Sequence, residues 1–317
     1  MIDKTLNLLE IAAKKRESLI NCTNALRLVN GIGDGLDGLI LEQYNKHFVA
    51  QIFDKKWLAQ KDTLINFIKN QHAGEYFIVK DRTDSSSSKS SGFRKDIWIE
   101  SKSSKTIAEE NGLKFDIDLN DALNSGLFLD MRHNRKLVGE LARGRKVLNA
   151  FAYTCSFGVY CRALQALSVI NIDISSKILN RGKVNYKLNG ITPSDNEFIR
   201  AGTIEYLKRA VKKDNYFDLI ILDPPSFSVY EQKTFSVKKN LSEMACLAVK
   251  ALNPGGVLFM ATNFSGMSEE NLETIAVSAA MNRAIKRIQH LNQDLDFPSS
   301  GLMPESYLAA VLIEFKS

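Results

Sequence analysis

The sequence has few cysteines and histidines, and they form no recognisable pattern. Its 317 residues include four of each. Cys22, Cys155, Cys161 and Cys246 show no CxxC pair and no spacing to a histidine that is typical of zinc ligands. We therefore expect no metal site and no disulfide framework. Such thiols are typical of a reducing compartment, the cytoplasm.

Long apolar stretches are also missing. Residues 1–21 are charged and contain no hydrophobic core of the kind that signal peptides carry. No segment approaches the roughly 20 apolar residues that a membrane-spanning helix needs. These absences predict a cytoplasmic protein with no membrane contact.

Acidic and basic residues are nearly balanced, with a small basic excess. The net charge is +6 and the pI is about 9.0. This excess mildly favours a polyanionic partner, and the basic runs at residues 238–239 and 283–287 could either contact phosphates or form a solvated face. The length favours two domains.

The first third of the chain mixes short strands and helices. Helical spacing covers residues 6–19 and 58–69, and strands are predicted at 39–41, 47–53, 76–79, 97–99 and 113–119. The glycine-rich residues 33–38 fit a turn between strands better than a nucleotide loop, because no helix follows directly. The serine-rich residues 83–92 predict a flexible hairpin tip. We predict an α+β domain over residues 1–105.

From about Asn134, helices alternate with apolar strands, which is the pattern of a doubly wound, mostly parallel sheet. Strands are predicted at residues 146–149, 168–173, 197–200, 217–222, 256–260 and 308–315. We predict an α/β, Rossmann-like domain over residues 106–317.

The most informative motif is a buried-strand pattern at residues 219–222 that ends in Asp223, Pro224 and Pro225. Ligands of open α/β sheets bind beyond the carboxyl ends of strands. The two prolines have fixed φ and no N–H, so their loop is stiff and its carbonyls are free to accept hydrogen bonds. Such a loop suits the binding of a planar substrate that carries nitrogen atoms. A strand that ends in a tight turn explains the motif about equally well.

Two further strand ends carry suitable chemistry. The small-residue loop 149–158 opens a helix, where N–H groups can bind a carboxylate, and it lacks the GxGxxG pattern of a pyrophosphate site. Asp173 ends the next strand, where a carboxylate suits a ribose diol, although it could also cap the following helix. Together the three signals indicate a nucleoside cofactor with a carboxylate and no long phosphate, which S-adenosylmethionine fits.

These motifs resemble the bacterial ribosomal RNA large-subunit methyltransferase group, which includes families I and K. The resemblance covers nearly the whole chain and is carried by residues 126–135, 151–154, 173 and 222–227, with further similarity at 26–40, 110–115 and 304–308. No counterpart of the amino-terminal PUA domain of family I is found. The resemblance implies a class I methyltransferase domain, an N-terminal domain that could bind RNA, and 23S rRNA as the partner. It leaves the monomer and the homodimer open.

The resemblance also implies roles for individual residues. Asp223, Pro224, Pro225 and Phe227 would face the methyl group and the target base, and Phe227 could stack on that base or belong to the core. The cofactor S-adenosylmethionine would be bound by Phe128, Asp130, Arg132, Asn149, Phe151, Ala152, Tyr153, Thr154, Ser156, Phe157, Gly158, Asp173, Ile174, Gly202, Thr203 and Asp223.

Three positions depart from the group's pattern. Cys155 replaces a usual glycine, Gly202 replaces an acid that contacts adenine, and Asn263 falls in the region that supplies the nucleophilic cysteine of cytosine-C5 members. Cytosine C5 methylation needs covalent attack by a thiolate, whereas guanine N7 has its own lone pair and needs only orientation. Asn263 could orient the base or simply end a strand. We expect direct methylation of guanine N7 in 23S rRNA. Cytosine C5, a protein amide or small molecule as acceptor, and a non-catalytic RNA-binding assembly factor are the alternatives.

Overall fold

The computed structural model describes residues 2–83, 94–101, 103–121, 124–230, 233–264, 266–298 and 308–317. The chain divides into two compact units, Met1–Arg132 with Gln293–Glu305, and His133–Asn292 with Ser306–Ser317. The first unit thus extends beyond the boundary predicted at residue 105, and it also includes the later segment Gln293–Glu305. Nearly all of the serine-rich segment 83–92 lies outside the described residues.

The first unit contains a five-stranded sheet in the order β1-β2-β3-β4-β5. All neighbours are antiparallel except β3 and β4, which are parallel. Helices α1 and α2 contribute Leu9, Leu64 and Phe67 to its apolar core. The strands are Ala25–Asn30, Leu39–Tyr44, His47–Ile52, Tyr76–Asp81 and Arg94–Ile99, with α1 at Ile2–Lys14, α2 at Lys61–His72, and a separate hairpin of β6, Lys105–Glu110, and β7, Leu113–Asp118.

The glycine-rich segment before β2 is a turn, as predicted, and no helix of the nucleotide-binding kind follows it. Residues Gly31–Asp34 form a short 3-10 turn. Gly35 and Gly38 then adopt positive φ angles of 73° and 80°, a region that favours glycine. The glycines are therefore explained by local chain reversal between β1 and β2.

The second unit is the predicted doubly wound α/β fold. Its seven-stranded sheet has the order β10-β9-β8-β11-β14-β16-β15, and only the pairs that involve β16 are antiparallel. The strands are β8 Lys146–Ala150, β9 Ser168–Asp173, β10 Phe198–Arg200, β11 Phe217–Leu222, β14 Leu252–Thr262, β15 Ile285–His290 and β16 Ala309–Phe315. The helices are α3 Arg132–Leu141, α4 Ser156–Ala163, α5 Ser176–Leu188, α6 Thr203–Lys212, α7 Val237–Lys250 and α8 Glu269–Ala279.

The strand order reverses beside β8, which has β9 on one side and β11 on the other. A reversal of this kind opens a crevice at the carboxyl ends of the strands, where open α/β sheets bind ligands. Residues 219–222 of β11 are fully buried, which explains why this central strand is apolar on both faces. In the described part of the chain, no helix is long and apolar enough to cross a membrane.

Candidate active site

The carboxyl ends of four adjacent strands bring the predicted site residues of the second unit to one edge of the sheet. Leu222 of β11 pairs with Ala150 of β8 and with Met260 of β14, and Ala150 pairs with Ile172 of β9. Each strand ends at, or is followed directly by, a segment that the sequence singled out: the 151–158 loop, Asp173, Asp223 and Asn263. Parallel pairing in register is therefore what assembles these distant residues.

The loop after β8 has an unusual backbone. Phe151, Tyr153 and Cys155 adopt positive φ angles of 56°, 49° and 59°. Left-handed geometry is disfavoured for residues with a side chain, so neighbouring structure must hold it in place. The Ala152 N–H donates to the Ile172 carbonyl at 2.8 Å, and the Cys155 N–H donates to the Ala152 carbonyl at 2.7 Å.

The left-handed backbone at residue 155 explains why glycine suits this position, and the structure shows how cysteine is accommodated. The Cys155 side chain is fully buried against α5, where a Cβ on Gly182 would lie 2.4 Å from its Sγ. Burial, with a smaller contribution from the Asp173 charge, raises the pKa of the Cys155 thiol well above its ordinary value. Cys155 is therefore a packed, protonated thiol and a poor nucleophile.

Asp173 ties the end of β9 to this loop. Its carboxylate accepts from the Tyr153 N–H at 3.0 Å and from the Ser175 N–H at 2.9 Å. Burial raises the pKa of Asp173, and the backbone donors offset part of that shift. The cap of α5 is Ser175, whose Oγ accepts from the Ile178 N–H at 3.3 Å. The idea that Asp173 caps this helix is therefore wrong.

Asn149 and Gly158 belong to a buried polar network beneath the loop. Asn149 donates to Asn171 at 2.9 Å, and Asn171 donates to the Tyr186 hydroxyl at 2.9 Å. A Cβ on Gly158 would lie 2.3 Å from the Asn171 side-chain oxygen. Sequence reasoning missed Asn171 and Tyr186, although a polar residue within an otherwise apolar strand was a usable signal.

The remaining loop residues differ in their exposure. Ala152, Thr154 and Phe157 have buried side chains, and the Phe157 ring packs 5.4 Å from that of Phe259. Phe151, Tyr153, Ser156 and Ile174 are half-buried. At Ala152, Thr154 and Phe157, a ligand could therefore contact only the backbone.

Gly202 and Thr203 lie at the start of α6, beside the end of β9. Gly202 caps the helix with extended φ and ψ of −71° and 137°, and Thr203 is buried. The Ala201 N–H donates to the Asp173 carbonyl at 3.1 Å, which fixes the approach of this segment. Position 202 offers backbone groups where an acidic side chain was expected from the family pattern.

The Asp-Pro-Pro segment follows β11 and meets the end of β14. Asp223 is half-buried, Pro224 is buried and Pro225 is exposed. Ser226 Oγ donates to Asn263 Oδ1 at 3.2 Å, so residues 37 positions apart are direct neighbours. The backbone from Phe227 forms a hairpin of β12, Phe227–Tyr230, and β13, Lys233–Ser236. The structure describes only the backbone of Phe227, so the role of its side chain stays a prediction.

Three predicted cofactor residues, Phe128, Asp130 and Arg132, belong to the first unit. Arg132 is 2% exposed, and its guanidinium donates to both Asp296 oxygens at 2.9 and 3.0 Å, and to Asp294 at 3.0 Å. Although burial alone would lower it, the hydrogen bonds and charge of Asp296 hold the pKa of Arg132 above its usual range. These contacts support the first unit, whereas Phe128 is exposed and Asp130 half-buried.

The second unit offers groups that fit S-adenosylmethionine. The Asp173 carboxylate accepts from the Tyr153 and Ser175 N–H groups, and because a carboxylate has about four lone-pair sites, it can also accept from a ribose diol. The loop before α4 has a tight backbone and no phosphate-binding glycine pattern. Among the described residues, no cluster of His, Cys, Asp or Glu could hold a metal ion.

Comparison with known proteins finds methyltransferases both by sequence and by structure. Ribosomal RNA large subunit methyltransferase I of Aeromonas salmonicida is 29% identical over 320 residues, covering 98% of this chain and 80% of the relative. Its counterpart in Shewanella denitrificans is 29% identical, covering 90% and 73%. The crystal structure of SMU.776, described as a candidate methyltransferase and complexed with SAH, has a TM-score of 0.86 at 21% identity, covering 99% of this chain and 81% of that one. The model of the S-adenosylmethionine-dependent methyltransferase family matches residues 55–313, most of the chain, and the protein belongs to this family.

Proposed function

We propose that this S-adenosylmethionine-dependent methyltransferase acts on large-subunit ribosomal RNA and methylates a guanine N7 of 23S rRNA by direct transfer. Relatives named ribosomal RNA large subunit methyltransferase I, similar over 98% and 90% of this chain, support RNA as the substrate. The mildly basic composition is compatible with a polyanionic partner.

The observation that carries the choice of atom is Asn263 beside the Asp-Pro-Pro loop. Methylation of cytosine C5 needs a thiolate that attacks C6. In the described part of the second unit, Cys155 and Cys161 are buried, and burial raises the pKa of Cys161 to about 12. Cys246 lies on α7. A guanine N7 needs no such nucleophile, because its own lone pair attacks the methyl group.

The roles of the chain's own residues follow from this chemistry. When bound, the cofactor supplies an electrophilic methyl group on a sulfonium. Asp173 would accept from the ribose hydroxyls, and the backbone of the 151–158 loop would hold the methionine end. The N7 lone pair forms the new N–C bond while the sulfur keeps the electrons of the broken S–C bond. Because the purine gains positive charge, the half-buried Asp223 carboxylate would stabilise the transition state.

Cofactor-dependent transfer to extracted RNA tests the proposal. We would incubate the protein and labelled S-adenosylmethionine with large-subunit rRNA from cells that lack this protein, and then analyse the nucleosides by mass spectrometry. The proposal predicts 7-methylguanosine as the product. A 5-methylcytidine product would contradict the choice of atom, and a labelled product that survives ribonuclease would identify a different substrate class.

The role of Asp223 can be tested in the same assay. Asp223→Ala should lower kcat by about 100-fold or more, because it removes the charge opposite the developing cation. Binding of the same rRNA, measured by gel shift, should change by less than about threefold. An equal loss of transfer and RNA binding would contradict a transition-state role.

A further inference from the structure

The side-chain amide of Asn263 is held by a neighbouring hydroxyl group. Ser226 Oγ donates to Asn263 Oδ1 at 3.2 Å. Ser226 follows β11 and Asn263 follows β14, and these two strands pair in parallel up to Leu222 and Met260. The hydrogen bond therefore joins the loops at two adjacent strand ends, at the edge that carries Asp223.

The backbone on both sides of Asn263 is anchored. Thr262 is fully buried, and its Oγ1 accepts from the Phe264 N–H at 3.2 Å. Phe264 packs against the core of the second unit. The exposed Asn263 side chain is thus a polar group at the edge of the sheet, directly after β14.

The hydrogen bond from Ser226 occupies one end of the Asn263 amide and leaves the other end for a ligand. With Oδ1 directed to Ser226, the outward group of Asn263 is Nδ2, which can only donate hydrogen bonds. A donor at this position favours a base edge that presents an acceptor. Guanine presents N7 and O6 as acceptors, whereas cytosine presents the N4 amino group and adenine the N6 amino group beside N7.

We propose that Ser226 is a positioning residue that makes Asn263 selective for guanine. The oriented Nδ2 donates to guanine O6, and the adjacent N7 then faces the transferable methyl group. Uracil also presents an acceptor, O4. Its C5, however, requires a nucleophilic thiolate just as cytosine does. This inference rests on the proposed guanine-N7 activity and adds the residue pair that selects the base.

Four variants test the pair on large-subunit rRNA from cells that lack this protein. Ser226→Ala should lower kcat/KM for 7-methylguanosine formation about tenfold, and Ser226→Thr, which keeps the hydroxyl, should restore it to within about threefold. Asn263→Asp keeps an acceptor for Ser226 but turns a carboxylate oxygen toward O6. It should therefore be less active than Asn263→Ala, although it is the closer mimic of asparagine.

Two controls separate positioning from folding. The exposed helical residue Ser278 provides a matched substitution, and Ser278→Ala should behave as the unchanged protein. Affinity for S-adenosylmethionine, measured by calorimetry, should stay within about twofold for all variants.

The outcomes distinguish this inference from the proposed function. If the unchanged protein makes no 7-methylguanosine, the proposed function fails and the base selection fails with it. If it does make 7-methylguanosine but Ser226→Ala matches Ser278→Ala, or Asn263→Asp is more active than Asn263→Ala, only the role of the pair is overturned. Comparing the activities of Asn263→Asp and Asn263→Ala keeps the test valid even if Ser226→Ala folds poorly. A merely structural role for Asn263 predicts that Asn263→Asp, the closer mimic, is the more active of the two.

Discussion

At the scale of single residues, Asp173 combines a structural role with a proposed binding role. Its carboxylate holds the backbone of Tyr153 and Ser175 and remains half-buried at the end of β9. Sequence reasoning identified this residue from its place at the end of a strand. It could not identify the two N–H partners, because one of them is 20 positions away in the chain.

Replacing Asp173 should weaken both folding and cofactor binding. Asp173→Asn exchanges one accepting oxygen for a donor that faces a backbone N–H, so we expect the free energy of unfolding to fall by about 1–3 kcal/mol. Affinity for S-adenosylmethionine should fall at least tenfold. Asp195→Asn, which removes a surface ion pair with Lys183, is the control and should leave the free energy of unfolding nearly unchanged. Urea unfolding and calorimetry measure both quantities, and equal effects of the two variants would contradict the role of Asp173.

The raised pKa of Asp173 also predicts how cofactor affinity depends on pH. In the role proposed for Asp173, the ionised carboxylate accepts from both ribose hydroxyls, so cofactor affinity should be complete above the pKa and lost as the pH falls through it. Because burial raises this pKa, the loss should begin at a higher pH than for an ordinary aspartate. Calorimetric titrations across the acidic range should show this loss, and Asp173→Asn should abolish it. A pH dependence that persists in the variant would point to another group.

Cys155 and Gly182 form a steric pair that can be measured directly. Gly182→Ala should destabilise the protein by about 1–3 kcal/mol, because the new Cβ would lie 2.4 Å from Cys155 Sγ. In a Cys155→Gly background, which removes that sulfur, the same substitution should cost at least about 1 kcal/mol less. Gly190→Ala is the control, since it has a positive φ of 69° and no atom near its added Cβ, so its cost should be the same in both backgrounds. Additive effects of Cys155→Gly and Gly182→Ala in urea unfolding would contradict the packing.

At the scale of elements, the central strands of the large sheet were predictable, and so was its edge strand β10, whereas the edge strand β15 was not. A buried parallel strand such as β11 must be apolar on both faces, and this pattern is visible in the sequence. The edge strand β15 pairs only with β16 and carries exposed charges, so Ile285–His290 does not show a strand pattern. The hairpin β12–β13 was missed for a related reason: it forms a separate two-stranded sheet.

Arg283 lies in the basic run 283–287, which the sequence analysis interpreted either as a phosphate contact or as a solvated face. Neither interpretation describes the contacts of the Arg283 guanidinium. It donates to the carbonyls of Val249 at 2.8 Å and Leu252 at 2.9 Å, and it lies 4.9 Å from the centre of the Phe315 ring. These contacts join the end of α7, the start of β14 and the end of β16. Arg283 is therefore a structural residue of the second unit.

Replacing this guanidinium should destabilise the protein. Lysine cannot reproduce the planar set of donors, so Arg283→Lys should lower the free energy of unfolding by about 1–3 kcal/mol. Arg287→Lys, at an exposed position of β15, should change it by less than about 0.5 kcal/mol. Urea unfolding measures both, and similar values for the two variants would contradict the anchoring role of Arg283.

At the scale of the whole molecule, the order of strands accounts for what the sequence could predict. The rule that ligands bind beyond the carboxyl ends of parallel strands correctly placed the 151–158 loop, Asp173 and Asp223 at one edge of the sheet. Asn263, which was identified through the family resemblance, lies at the same edge. Contacts between segments far apart in the chain were not predictable. The bond between Ser226 and Asn263 depends on strand pairing, and the burial of Arg132 against Asp296 depends on a late segment that returns to the first unit.

Direct methylation of guanine N7 in large-subunit rRNA, the proposed reaction, can be tested by a single measurement. Nucleoside mass analysis should compare 23S rRNA from cells that lack this protein with the same RNA after incubation with protein and cofactor. We expect one additional 7-methylguanosine, formed by the unchanged protein and not by Asp223→Ala. An additional 5-methylcytidine, or unmodified RNA despite cofactor binding, would contradict the proposed reaction.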